Sequence, residues 1–130
     1  MDIVIDTSAL IAVILGEPER NRIIEITEGN TLIGPGSIPW EMGNAFSAMF
    51  KQKSITLDDA IKAVSIFESI PVKYCKADFV HAIKISKKEN LYAYDAYFLD
   101  CSIRYNAPLL TLDEKLAAAA KRMNRKVLEV

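Results

Sequence analysis

The sequence has few of the residues that build disulfide scaffolds and histidine or cysteine metal centres. Its 130 residues include one histidine and only two cysteines, Cys75 and Cys101. Two cysteines without a metal-ligand spacing exclude both a disulfide framework and a cysteine-based zinc site. We therefore expect both thiols to be reduced and buried, as in a cytosolic protein.

Long apolar runs and an excess of charge of one sign are also missing. The longest apolar run, residues 9–15, is far shorter than the roughly 20 residues that a membrane helix needs. Met1 and Asp2 lack the basic start of a signal peptide, so we expect a soluble, cytoplasmic protein without a membrane partner. The formal net charge is -1. No global basic field therefore indicates nucleic acid, although a local patch could still bind it.

The composition is that of an ordinary globular protein, with 51% hydrophobic and 25% charged residues. We expect one domain over residues 1–130, which is long enough to bury a core. Short apolar segments that read as strands alternate with amphipathic helices. This alternation predicts an α/β fold with a mainly parallel sheet that is covered on both faces. The predicted strands are residues 3–5, 31–33, 71–74, 108–112 and 127–130.

Two of the predicted helices have clear apolar faces. Thr56 should cap a helix whose buried face is formed by Leu57, Ala60, Ile61, Val64 and Phe67. In the next helix, residues 77–89, we predict that Phe79, Val80 and Ile83 are buried.

Four acidic residues, Asp6, Glu41, Asp95 and Asp113, lie where a purely structural acid is not needed. Asp6 and Asp113 each end an apolar strand, and the carboxyl ends of parallel strands meet at the edge where α/β sheets bind ligands. Glu41 and Asp95 lie near the start of largely apolar helices, where an unpaired carboxylate is costly. Helix capping is the alternative for Asp6 and Asp113, and a favourable helix dipole is the alternative for Glu41.

Four carboxylates at one edge of a sheet would raise one another's pKa values unless a cation neutralised them. Hard oxygen ligands favour Mg²⁺ or Mn²⁺. The chemistry that such a site offers is metal-assisted hydrolysis, in which the ion activates a water molecule and polarises a phosphoryl oxygen. The sequence leaves open whether one ion or two would bind.

The first strand and its continuation, residues 3–10 with the sequence IVIDTSAL, resemble the opening of a PIN domain (PilT N-terminal domain). The later motifs of that family follow in order: Pro39-Trp40-Glu41, Tyr94-Asp95-Ala96 and Leu110-Thr111-Leu112-Asp113. The resemblance covers essentially the whole chain, whose length is similar to that of stand-alone toxin ribonucleases of the VapC type. It implies a three-layer α/β/α fold with a central, mainly parallel sheet of four to five strands.

The same resemblance implies an Mg²⁺- or Mn²⁺-dependent endoribonuclease. By position, its catalytic and metal-binding acids would be Asp6, Glu41, Asp95 and Asp113. Ser8 and Thr111 match hydroxyl residues that support the first and last acids without binding the metal. The implied partners are an RNA substrate such as transfer RNA, a second copy of the chain in a homodimer, and a cognate antitoxin whose tail covers the acidic pocket.

Other interpretations compete with this one. A phosphatase of the haloacid dehalogenase type would need a second aspartate where Ser8 stands. A catalytically silent PIN-fold binding or scaffolding module stays open, although such modules often lose the acids that are present here. Outside the quartet, we expect Asp100 to lie on the surface or to contact a partner, and His81 to face solvent without a pairing group. For Trp40, packing in the core or at an interface is favoured over base stacking.

Overall fold

The computed structural model describes all 130 residues, and strands alternate with helices as the sequence predicts. None of the helices is long and apolar enough to cross a membrane. In chain order, the elements are β1 (Asp2–Ile5), α1 (Thr7–Ile14), α2 (Arg20–Thr27), β2 (Thr31–Pro35), α3 (Ile38–Lys51), α4 (Leu57–Ser69), β3 (Val72–Cys75), α5 (Phe79–Glu89), α6 (Ala93–Arg104), β4 (Leu109–Leu110) and α7 (Glu114–Arg122).

The four strands form one parallel sheet in the order β3-β2-β1-β4. The central strand β1 pairs with β2 and β4, so that Val4 lies opposite Ile33 on one side and Leu109 on the other. Seven helices flank the sheet, which confirms the three-layer α/β/α fold. Because all strands run in the same direction, the residues that follow β1 and β4 reach the same edge of the sheet.

The strand predicted at residues 127–130 does not form. Val127 makes a single bridge to Leu109, in which Leu109 donates its N–H to Lys126 and accepts one from Leu128. The reason is the length of β4, which spans only Leu109–Leu110 and leaves no further partner for a fifth strand. The sheet therefore has four strands, the lower number of the predicted range.

The core lies between the sheet and the helices and comprises 29 buried hydrophobic residues. Its centre is β1, where Ile3, Val4 and Ile5 are at most 1% exposed. A continuous apolar run is the pattern of a parallel strand that is covered on both faces. The buried strand ends at Asp6, which is itself only 4% exposed.

The predicted buried face of α5 is wrong, and that of α4 is partly wrong. In α5, Phe79, Val80 and Ile83 are 64%, 66% and 56% exposed, whereas Ala82 and Ile85 are buried. In α4, Ala60, Ala63 and Phe67 are buried, whereas Leu57, Ile61 and Val64 are exposed. Small alanines occupy the contacts because they let a helix approach its neighbours closely. Apolar spacing reveals that a helix is apolar on several sides, but it does not tell which side faces the core.

The predictions for Asp100 and His81 are also wrong. Asp100 is fully buried, and its carboxylate accepts hydrogen bonds from the Arg104 Nε atom and the Asp78 N–H, at 3.0 and 3.1 Å. Its Oδ1 atom lies 2.7 Å from Nδ1 of His81. Residues 98–102 are all buried, so α6 is covered on several sides. Asp100 lies on a different side of α6 from Asp95, and that side faces α5 and not solvent.

Candidate active site

Asp6 is the most buried acid at the carboxyl edge of the sheet. It is the N-cap of α1, because its Oδ1 atom accepts the Ala9 N–H at 3.0 Å. The same oxygen accepts the Ser8 hydroxyl at 2.7 Å, and Oδ2 accepts the hydroxyl of Thr111. Burial raises the pKa of Asp6 to about 6, against these hydrogen bonds, which lower it, and with a further rise from the charge of Asp113. Helix capping therefore explains the contact with Ala9, but it does not explain why a carboxylate is buried here at a cost in free energy.

Ser8 and Thr111 connect the ends of two neighbouring strands. The Ser8 hydroxyl accepts the Leu112 N–H at 3.0 Å, and the Thr111 hydroxyl accepts the Asp113 N–H at 2.9 Å. Both hydroxyls also donate to Asp6. Each side chain thus fixes the Asp6 carboxylate relative to the loop that carries Asp113.

Glu41 reaches the same edge from the first turn of α3. Its Oε2 atom accepts the Ser37 hydroxyl at 2.6 Å, and Oε1 accepts the Thr7 hydroxyl at 3.3 Å. Burial raises the pKa of Glu41, the two hydroxyls lower it, and the charges of Asp6 and Asp95 raise it again. Glu41 is therefore held between α1 and the start of its own helix.

Asp95 and Asp113 complete the group. Asp95 lies in the first turn of α6, and Asp113 caps α7 by accepting the N–H groups of Lys115 and Leu116 at 2.9 and 3.2 Å. Burial raises the pKa of Asp95, as does the charge of Asp113, whereas nearby Lys115 lowers it. Asp113 is thus a helix cap, as the alternative interpretation held, and also a neighbour of the other acids.

The four acids form a closed ring of electrostatic neighbours. Asp113 acts on Asp6 and on Asp95, and both of these act on Glu41. In each pair the like charge raises the pKa of the neighbouring carboxyl group. The four acids that the sequence singled out therefore lie within electrostatic range of one another, although they come from four separate parts of the chain; their joint role as a site stays a prediction.

The ring is wider than a preformed metal cage. No three His, Cys, Asp or Glu side chains converge closely enough to form a metal-binding group by themselves. The donor set nevertheless fits a hydrated divalent cation, because Mg²⁺ keeps several water molecules and usually takes one or two protein carboxylates. Burial is the main cause of the raised pKa values of Asp6, Glu41 and Asp95, and the charges of neighbouring acids add to it; a cation there would offset both effects.

Three residues of this site escaped the sequence analysis. Ser37 and Thr7 hold Glu41, and Lys115 lies close to Asp95. Ser37 precedes Glu41 by four residues, and residues at this spacing lie one helical turn apart, so their contact could have been predicted. The capping-box rule looks for a spacing of three residues and therefore passed over this pair.

The fold and the site together define an α/β protein with four neighbouring acids near the carboxyl edge of a parallel sheet. The sequence model of the PIN domain family matches residues 3–122, so this chain belongs to the PIN domain family. The resemblance that the opening strand and the three later motifs indicated is thereby confirmed.

Three solved structures illustrate the likeness of this chain to known proteins. PAE2754 of Pyrobaculum aerophilum shares 20% identity with a TM-score of 0.67, over 92% of this chain and 79% of that one. VapBC2 of Rickettsia felis, solved with a DNA fragment from its promoter, shares 18% identity with a TM-score of 0.68, over 99% and 98%. VapC20 of Mycobacterium tuberculosis, a toxin that cleaves the sarcin-ricin loop, shares 13% identity with a TM-score of 0.62, over 90% and 94%. At these identities the likeness establishes the shared fold. None of the curated proteins matches this chain.

Proposed function

We propose that this protein is a metal-dependent endoribonuclease that acts as the toxin of a type II toxin-antitoxin pair. The observation that carries the proposal is the ring of four buried or half-buried carboxylates at the carboxyl edge of the sheet. Membership of the PIN domain family supports a nuclease, and nucleases of this family generally use divalent metals. Mg²⁺ or Mn²⁺ is the ion that carboxylate oxygens favour.

In this proposal, Asp6, Glu41, Asp95 and Asp113 hold the ion and the water that attacks the phosphodiester. The ion would lower the pKa of that water and neutralise charge that develops on the phosphate. Ser8 and Thr111 orient the Asp6 carboxylate, and Ser37 and Thr7 orient Glu41. These hydroxyls keep the carboxylates ionised by donating to them, so that the acids are ready to bind a cation.

The proposed partners follow from the proteins that share the fold. VapC20 cleaves a structured RNA loop, and VapBC2 is a complex that was solved on promoter DNA. We accordingly assign to this chain a structured RNA substrate such as transfer RNA, a cognate antitoxin whose tail covers the acidic cleft, a homodimeric state and a cytoplasmic location. The exposed apolar side chains of α5, Phe79, Val80 and Ile83, offer a surface for such protein contacts.

The second candidate is a catalytically silent binding or scaffolding module. It is favoured by one observation, namely that no three of the acids converge into a preformed metal-binding group. Such a module could bind Mn²⁺ but would cleave no RNA.

The test is cleavage of a total transfer RNA pool by the purified protein in Mg²⁺, in Mn²⁺ and in EDTA. Asp6→Asn is the active-site variant, and Asp58→Asn is its matched control, because Asp58 is an exposed acid in the first turn of α4. We expect discrete products that need metal, persist in Asp58→Asn and vanish in Asp6→Asn. Equal behaviour of the wild type and Asp6→Asn in every condition would refute the nuclease and favour the binding module.

A further inference from the structure

A cavity of about 650 Å³ opens directly beside Glu41. It lies between α3 and the beginnings of α1 and α6, and its walls include Trp40, Asn44, Thr7 and Tyr94. Glu41 belongs both to this cavity and to the ring of acids, so the cavity adjoins the candidate active site at this residue. Its volume lies within the roughly 300–1,000 Å³ of small-molecule sites in proteins.

Two aromatic side chains form the open rim of this cavity. Trp40 is 74% exposed and Tyr94 is 52% exposed, so neither belongs to the core. Of the two environments predicted for Trp40, the core is thereby excluded and an interface is not. Large aromatic side chains are usually well buried, and exposed clusters of them mark binding surfaces. The exposure of Trp40 therefore needs an explanation outside the folded chain.

Tyr94 is held in place by other aromatic rings. Its ring meets the Tyr97 ring edge to face, at 5.9 Å between centroids and an angle of 80°. Tyr97 in turn packs against Phe79 in the same way, at 5.8 Å and 85°. These contacts fix the orientation of Tyr94 although half of its surface is exposed. A ligand that binds to a side chain already held in place pays a smaller entropic cost.

The inner end of the cavity is polar. The Thr7 hydroxyl and the Glu41 carboxylate are hydrogen-bonded to each other there, and the exposed Asn44 lies one helical turn after Trp40. An amphipathic helix of a protein partner would instead require a continuous apolar groove. Aromatic faces beside an amide, which can both donate and accept, are the features with which proteins bind unpaired nucleobases.

We propose that Trp40 and Tyr94 form a stacking site for one unpaired nucleobase next to the scissile phosphate, with Asn44 contacting the edge of that base. The inference rests on the proposed function, because the strand that carries the base is the strand that is cleaved. It narrows the substrate to RNA that is single-stranded or looped at the cut, since a paired and stacked base could not enter the cavity.

The first experiment detects base binding without cleavage. Trp40 is the only tryptophan of the chain, so its indole N–H gives one side-chain resonance that needs no further assignment. The wild-type protein in EDTA is titrated with adenosine monophosphate and, separately, with ribose 5-phosphate, which carries a phosphate but no base. We expect a saturable shift of the indole resonance with the nucleotide and none with the sugar phosphate. Equal responses to the two ligands, or no response to either, would overturn the stacking site.

The second experiment measures cleavage kinetics of Trp40→Ala and Tyr94→Ala on an RNA with an unpaired loop. Loss of one stacking interaction should raise KM by about fivefold to 150-fold and leave kcat largely unchanged. Trp40→Phe should restore most of the loss, because a phenyl ring still stacks. Tyr92→Ala is the control, since Tyr92 is 84% exposed at the start of α6 but does not line the cavity. Thermal unfolding of each variant verifies that it folds.

The two experiments separate this inference from the proposed function. Cleavage that Trp40→Ala leaves unchanged, together with an indole resonance that does not shift with nucleotides, would retain the nuclease and overturn the stacking site. Selective binding of the nucleotide without any cleavage would retain the base site and refute the nuclease.

Discussion

The hydroxyl of Thr111 donates a hydrogen bond to the carboxylate of Asp6 across two neighbouring strands of the sheet. The same hydroxyl accepts the backbone N–H of Asp113. The first and last acids of the ring are therefore fixed by one shared side chain. Such a contact orients a buried carboxylate and favours its ionised form, which is the form that binds a cation.

Asp6→Asn and Asp95→Asn should each abolish metal-dependent cleavage while the fold survives. An amide has nearly the volume of the carboxyl group, and in Asp6→Asn the amide oxygen can still accept the Ala9 N–H that caps α1. What each variant loses is a negative charge that would hold the ion. Cleavage of transfer RNA and thermal unfolding, measured on the same preparations, test this expectation. Loss of folding in both variants would show that the two acids are needed for the fold itself.

Stability should depend on pH through Asp6. An acid whose pKa is higher in the folded than in the unfolded protein stabilises the fold at low pH, and this contribution is lost as the pH rises from 3.8 through about 6. Across that window, the metal-free wild type should lose about 3 kcal/mol of unfolding free energy relative to Asp6→Asn. Urea unfolding of both proteins in EDTA at pH 4 and pH 7.5 measures the difference. If the difference in unfolding free energy between the two proteins is the same at both pH values, the pKa of Asp6 is not raised in the folded protein.

The sequence alone predicted that these acids lie near one another. For Asp6 and Asp113 the prediction follows from the topology of a parallel sheet. Asp6 and Asp113 end parallel strands, and parallel strands place such residues at one edge. Glu41 and Asp95 were singled out by their places beside apolar residues at helix starts. The resemblance to the PIN domain family implied a common role for the four acids, which stays a prediction.

What the sequence did not reveal depends on how helices face one another. The contact between His81 and Asp100 joins residues on different helices, so the spacing of residues within one helix cannot predict it. The exposure of Phe79 and Val80 likewise depends on α5 meeting α6 through Ala82 and Ile85. Periodicity describes one helix at a time, whereas these features arise only when two helices pack.

Ser37→Ala should weaken cleavage without removing any acid. The Ser37 hydroxyl donates to Glu41 at 2.6 Å and lowers its pKa, so the alanine variant leaves Glu41 less firmly oriented and easier to protonate. Loss of such a supporting contact typically costs about 10- to 100-fold in metal affinity or activity. Ser47→Ala is the matched control, since the Ser47 hydroxyl bonds only a backbone carbonyl of the same helix. If the two variants cleaved RNA equally well, Ser37 would have no part in the site.

Mg²⁺ and Mn²⁺ should raise the melting temperature of the wild type. An ion that binds only the folded ring stabilises the protein by about 2.7 kcal/mol when its concentration is 100 times its Kd. Asp95→Asn should show a much smaller rise, because it removes one negative charge from the ring. Sodium chloride at matched ionic strength controls for general screening of the acids. A wild type that responds to sodium and to the divalent ions alike would have no specific metal site.

Asp100→Ala should destabilise the fold and spare the chemistry. The Asp100 carboxylate is fully buried and binds Arg104 and His81, so its removal leaves their polar groups without a partner. About a third of the Arg104 and His81 side chains is exposed, so water can replace part of what they lose, and the cost should be about 1–3 kcal/mol. Arg22→Ala breaks the exposed pair of Arg22 with Glu25 and should change stability by less than about 1 kcal/mol.

Urea unfolding gives both changes in stability, and cleavage per folded molecule gives the chemical effect. A cost of Asp100→Ala no larger than that of Arg22→Ala would show that the network contributes little to the fold. Loss of cleavage in folded Asp100→Ala would place Asp100 among the residues that serve the acidic cleft. We expect neither result, because the Asp100 carboxylate is paired with the guanidinium of Arg104, whereas Asp6 and Glu41 accept hydrogen bonds only from neutral hydroxyl and backbone N–H groups. The partners of each carboxylate, and not its burial alone, distinguish an acid that supports the core from one that is suited to bind a cation.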